Sequence, residues 1–188
     1  RTLGVLLRSG VPMLQALDLT GTPALVRVPW RDPAQIMRAL DLGAAGVVVP
    51  MVNTAADAEQ AVAACRYPPR GLRSFGPVRS YYSPDGSSED PLCLVMIETV
   101  EAMANLDAIA ATLGLDGLLV GPMDLALSMG IGLSMQMPGE VLDAIGRVAD
   151  CCRKRGLIAA SVALGPDNAA EQIARGITFL TSGADTLF

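Results

Sequence analysis

Short aliphatic runs alternate along the chain with longer segments in which apolar positions recur every three or four residues. The runs are TLGVLL (2–7), ALVRV (24–28), GVVVP (46–50), CLVMIE (93–98), DGLLVGP (116–122), LIAASV (157–162) and ITFLTSG (177–183). Runs this short and this uniformly apolar suit strands buried on both faces, as in a parallel sheet covered by helices. The pattern predicts seven strands.

The intervening segments carry helix signals. In RDPAQIMRALDLG, Asp32 can cap, Pro33 suits the first helical position, Ile36, Met37 and Leu40 share a face, and Gly43 closes the element. NTAADAEQAVAAC places Thr54 and Asp57 as a capping box. TVEAMANLDAIAATLG and PGEVLDAIGRVADCCRKRG each end on glycine, the second after a basic turn that suits the negative end of the helix dipole. GPDNAAEQIARG is the shortest of the set. Such alternation implies right-handed βαβ units, which close as a doubly wound open sheet or as a barrel.

No GxGxxG follows the first run, and charged residues stand at the ends of runs in different units. The expectation is therefore a single α/β domain, 1–188, built as a (β/α)8 TIM barrel. Seven runs are one short of eight, and VPMLQALDL begins barely three residues after the first of them. A βα unit is accordingly expected to be missing from the sequence near Gly10, and no closing helix follows Phe188. The stretch 66–91, rich in Pro, Gly, Ser, Arg and Tyr, reads as one long loop on the side where strands begin.

Composition narrows the function. Hydrophobic residues make up 51% and aromatic ones 4%, so Ala, Val, Leu, Ile and Met must build the core. A net charge of -5 without a Lys/Arg block argues against nucleic acid or an anionic membrane surface as partner. No apolar run is long enough to span a bilayer and Arg1 opens no secretory leader, so a cytoplasmic protein is expected. The cysteines, Cys65, Cys93, Cys151 and Cys152, lack ligand spacing and read as small hydrophobes. Histidine is absent, which closes imidazole chemistry to the sequence as it stands.

Strand ends supply the candidates. Glu98 ends one run and Asp124 lies just past the next, in LLVGPMD, so a returning helix sets the two carboxylates side by side on one rim. They suit a divalent ion that takes about two carboxylates and completes its shell with water and substrate oxygens. Equally, Glu98 could serve the start of the helix at Thr99, and Asp124 could cap LALSMG. Arg27 stands within an aliphatic strand, where a guanidinium needs an anion, unless it snorkels outward or pairs locally. GPMD could offer backbone N–H groups to an anion. Asp41 alone reads as a solvated or helix-end carboxylate.

Taken together, VRVPWRDPAQIMRALDLGAAGVVVPMVNTAADAEQAVAACRYPPRGLRSFG, LVMIETVEAMANLDAIAATLGLDGLLVGPMDLALSMG and the Gly-rich tail resemble the HpcH/HpaI aldolases over about residues 22–188. The resemblance implies class II enzymes that reversibly cleave 4-hydroxy-2-oxo acids to pyruvate and an aldehyde through a metal-stabilised enolate. It implies a divalent metal (Mg²⁺, Mn²⁺ or Co²⁺) and a homo-oligomer, hexamer or trimer. By motif, Glu98 and Asp124 match the metal ligands, Arg27 the enolate-stabilising arginine, and Asp41 an aspartate that raises the basicity of the family's histidine. Met123 and Asp124 match substrate-contacting positions, and Met96 replaces a residue that is often Gln.

Two departures stand out. The family's basic histidine follows the second strand, in the unit that this sequence lacks, and the last helix, which exchanges between subunits, is absent. A true deletion would open a barrel edge, so segments of the polypeptide are expected to lie outside this sequence. Two other readings remain open: an acyl-CoA lyase of the citrate-lyase branch, holding CoA phosphates at Arg66–Arg79, and a barrel subunit without activity.

Overall fold

A computed structural model describes residues 23–75, 90–134 and 136–182. Six parallel strands form one sheet: β1 Leu25–Arg27, β2 Gly46–Val49, β3 Leu92–Ile97, β4 Gly117–Val120, β5 Ile158–Ala163 and β6 Phe179–Ser182. They pair strictly in sequence order. A doubly wound sheet would reverse direction at a switch point. Unbroken order instead keeps every crossover on one side, and the sheet curls as part of a TIM-barrel-like fold. The expected strand 2–7 lies outside the described residues, as does the stretch 76–89 of the long loop.

The helices are α1 Pro33–Asp41, α2 Ala55–Cys65, α3 Val100–Ala104, α4 Leu106–Ala110, α5 Pro122–Ser128, α6 Gly139–Arg155 and α7 Pro166–Ala174. Asp32 caps α1 through the Ala34 N–H with Pro33 behind it. Thr54 and Asp57 form the capping box of α2. Gly156, at φ 69°, ends α6 after Arg153, Lys154 and Arg155.

The segment after Glu98 departs from expectation. One helix ending on glycine was predicted, and two five-residue helices form instead. Asn105 breaks the run: its side-chain amide donates to the Asn53 carbonyl at 2.8 Å, a tertiary bond that draws the backbone off helical geometry. These pieces, and not GPDNAAEQIARG, are the shortest helices described.

Both faces of the sheet are apolar. Val48, Leu94, Met96, Leu119 and Ala160 line the concave face, while Val47, Val49, Val95, Ile97, Leu118 and Val120 pack outward against the helices. The cysteines behave as expected, being buried free thiols. No helix among the described residues is long and apolar enough to cross a membrane.

The end where strands begin is closed by ion pairs. Arg66, 5% exposed, donates to the Pro91 carbonyl at 2.6 Å, the Gly114 carbonyl at 3.0 Å and Asp116 Oδ2 at 3.0 Å. The same Asp116 oxygen accepts the Cys93 N–H at 2.7 Å, so one guanidinium and one carboxylate tie α2 to the starts of β3 and β4. Arg66→Ala would strand three acceptors in a half-buried layer. It should lower unfolding free energy by about 3 kcal/mol, read from urea denaturation; a loss under about 0.5 kcal/mol would mean that the layer is dispensable.

Candidate active site

Alternation along β3 puts Leu92, Leu94 and Met96 on the concave face, and the next residue of that parity is Glu98. It sits where the strand opens toward α3 and is 1% exposed. Its two oxygens are treated differently. Oε1 accepts the Met51 backbone N–H at 2.6 Å, whereas Oε2 is buried without a hydrogen-bond partner among the described residues. Burying half a carboxylate unpaired is costly, so an unpaired oxygen at a strand end is a marker of function.

Met51 follows β2 and adopts a left-handed φ of 57°, unusual outside glycine. That turn aims its N–H at Glu98. Gly121, before α5, supplies the space: a Cβ there would lie 2.8 Å from Glu98 Oε2, 2.9 Å from the Met96 methyl and 3.0 Å from Glu98 Cβ. Sequence reasoning gave GPMD a different role, as a source of free N–H groups. The Gly121 N–H is already bonded to the Ile97 carbonyl at 3.2 Å and Pro122 has none, so the glycine acts by leaving room.

Burial pushes the Glu98 carboxyl above its ordinary range; the Met51 N–H pulls it back, Asp124 raises it again and Arg27 lowers it. Asp124 and Arg27 are therefore both within electrostatic reach of Glu98. Asp124 is exposed in the first turn of α5, and Arg27 is exposed at the end of β1 on the concave side. Neither side chain makes a hydrogen bond or ion pair with any described residue. The capping alternatives fail: Thr99 is the residue that caps α3, accepting the Ala102 N–H at 2.9 Å, and Asp124 lies inside α5, whose cap position is Gly121.

Glu98, Asp124 and Arg27 thus come together, with Met96 beside Gly121 and Met123 half-buried next to Asp124. Asp41 does not join them. It ends α1 at the opposite end of the sheet, where Arg73 donates to its Oδ1 at 2.9 and 3.3 Å. Met51 was not singled out by sequence, and Gly121 only as part of the GPMD turn. The left-handed turn has no glycine to announce it, and the Met51 contact spans 47 residues.

The donor set fits a divalent cation. Among the described residues, Glu98 Oε2 is a hard oxygen without a partner, Asp124 supplies a second, Gly121 keeps the approach clear, and no guanidinium is bonded to either carboxylate. No group of three or more His, Cys, Asp or Glu side chains suited to an ion occurs among the described residues. An ion here would take two protein carboxylates, the pattern of Mg²⁺-like sites that keep water and substrate oxygens.

A curled parallel sheet with a half-satisfied carboxylate at its carboxyl rim defines the class, an α/β barrel-type enzyme. A family model described as HpcH/HpaI aldolase/citrate lyase matches residues 5–187, and the chain belongs to that family. Divalent-metal dependence is typical of it. The hydroxypyruvate/pyruvate aldolase of Rhizorhabdus wittichii is 41% identical, across 93% of this chain and 72% of that protein. A 5-keto-4-deoxy-D-glucarate aldolase of Shigella dysenteriae is 37% identical, across 93% and 71%. Among solved structures, a family protein of Burkholderia cenocepacia superposes with TM-score 0.79 at 33% identity, across 93% of this chain and 72% of that one.

Because the fold disfavours ionised Glu98, this group adds stability below its unfolded value of 4.5 and withdraws it as pH rises through the raised folded value. Glu98→Gln should therefore raise the melting temperature of metal-free protein at neutral pH by a few degrees, and the gain should fade as pH falls toward 4.5. Equal melting at neutral pH would refute the strain. Gly121→Ala should cost about 1–3 kcal/mol by overpacking against Glu98 and Met96; chemical denaturation that shows no change would mean that the rim yields freely.

Proposed function

We propose that this chain is a divalent-metal-dependent aldolase that reversibly cleaves 4-hydroxy-2-oxo acids to pyruvate and an aldehyde, on a sheet that completes a (β/α)8 barrel. The unpartnered Glu98 Oε2 beside Asp124 carries the reading. The aldolase names of the two curated relatives support the reaction class.

Cleavage of the C3–C4 bond leaves its electron pair on the pyruvate half, where it moves onto the C2 oxygen as C4 becomes an aldehyde. The site must therefore hold developing negative charge at the C2 oxygen and remove the proton of the 4-hydroxyl. Glu98 Oε2 and Asp124 would hold the cation, which when bound supplies a positive centre to the 2-oxo and carboxylate oxygens of the substrate. Arg27, without a described acidic partner, is free to donate N–H bonds to the oxygen that gains charge. Met96 supplies an apolar floor next to Glu98 and keeps water off its concave side. The Met123 backbone and Asp124, entering α5, border the position that the substrate would occupy.

The 4-hydroxyl proton needs an acceptor. Among the described residues at this rim, both carboxylates serve the cation, and the sequence has no histidine, so the base belongs to a group outside them. Mg²⁺, Mn²⁺ and Co²⁺ all suit two carboxylates with open positions. The protein acts on pyruvate and an aldehyde in the cytoplasm, as a homo-oligomer. CoA is a poorer substrate class for this chain. Arg66, Arg70 and Arg73 are already paired with Asp116, Asp90 and Asp41, while Arg79 lies outside the described residues.

Purified protein supplied with Mn²⁺, Mg²⁺ or Co²⁺ should release pyruvate from 4-hydroxy-2-oxo acids, followed by coupled reduction of the pyruvate. Excess chelator should reduce the rate at least about 100-fold, in line with a cation that stabilises the transition state. Activity unchanged in chelator would refute the role of the metal. No pyruvate with any of the three metals would favour a subunit without activity.

A further inference from the structure

Met51 and Glu98 meet across 47 residues of chain, and the residues just beyond them meet as well. The Thr99 hydroxyl donates to Asn53 Oδ1 at 2.5 Å and accepts the Ala102 N–H at 2.9 Å, so its proton is committed to Asn53. Asn53 is held on two other sides, its carbonyl by the Asn105 amide at 2.8 Å and its N–H by Asp57 Oδ2 at 3.1 Å. Asp57 in turn accepts the Thr54 N–H at 3.0 Å and pairs with Arg31. Val52, between Met51 and Asn53, is fully buried.

These contacts close a small ring, from Glu98 to Thr99, across to Asn53, back through Val52 to Met51, and across again to Glu98. A left-handed non-glycine residue persists only where its surroundings over-determine it, and this ring with its outer ties does so. We propose that Asn53 and Thr99 are positioning residues that hold the Met51 amide on Glu98 Oε1, so that Oε2 is aimed, before any cation arrives, into the space kept clear by Gly121. The inference rests on the metal-holding role of Glu98 proposed above. An untied glutamate would have to give up rotamer freedom on binding, whereas the ring removes that loss beforehand.

The test is Mn²⁺ titration, read by the resonance of free Mn²⁺, on wild type, Asn53→Ala, Thr99→Val, Thr99→Ser and Glu98→Gln. It is paired with hydrogen exchange of the Met51 amide in metal-free protein. Wild type should bind and Glu98→Gln should not. Asn53→Ala and Thr99→Val should each weaken binding about tenfold and speed exchange at Met51, the usual scale for a lost outer partner of a ligand. Thr99→Ser keeps the hydroxyl and should bind as wild type. Thr99→Val also loses a helix cap, so Asn53→Ala is the decisive variant, with its thermal melt as control for folding. Wild-type affinity in Asn53→Ala and Thr99→Val, while Glu98→Gln has lost it, would overturn the positioning role and leave the metal site standing. Binding by Glu98→Gln equal to wild type, or none by wild type, would overturn the metal site itself and this inference with it.

Discussion

A single carboxylate, half satisfied and sealed at the open end of β3, governs the arrangement around it. Glu98 can be buried because Met51 gives one oxygen a short N–H bond, and because β3 lies between β2 and β4, whose loops carry Met51 and Gly121. Shift either loop and the charge would lose its bond or its space. The parallel sheet makes such convergence possible. Consecutive strands end on the same rim, so residues from separate parts of the chain become neighbours there.

Charge is used in opposite ways at the two ends of the sheet. Where the strands begin, Arg66 pairs with Asp116 and Arg73 with Asp41, and the Arg73 guanidinium also lies 4.7 Å over the Tyr67 ring. Every one of these groups is compensated, as expected of parts that hold elements together. Where the strands end, Glu98 Oε2 has no partner among the described residues, and Arg27 and Asp124 make no ion pair with any of them. Uncompensated charges at one end are tolerable because the compensated end and the aliphatic core carry the fold.

The legible features were those written in local spacing. Uniform apolar runs marked the strands, a three-residue interval marked the Thr54–Asp57 box, and the place of Glu98 at the end of CLVMIE set it at the rim. Features that depend on contacts between distant residues were not legible. The break at Asn105 comes from a bond to Asn53, 52 positions away, which no helical periodicity records. Asp41 was given a role from its motif, yet its observed partner Arg73 lies 32 positions off, in a loop whose path the sequence does not announce. Met51 acts through its backbone, so its side chain carries no signal.

The pairing of a buried and an exposed acid has a physical logic. Two equally exposed carboxylates would hold a cation weakly, each keeping its own water, and two fully buried ones would resist ionising together. In the proposed site, Glu98, raised by burial, and Asp124, open to solvent, would divide the work between them. There, Asp124 would give an arriving ion its first charged contact while the ion is still hydrated. Glu98 would then offer an oxygen that no described protein donor must leave, in surroundings where each unit of charge counts for more than in water. The free energy that the fold gives up to bury Glu98 would be returned in part by a bound cation. A proton would compete for the same oxygen, so affinity for the cation and the raised pKa of Glu98 would be two expressions of one constraint.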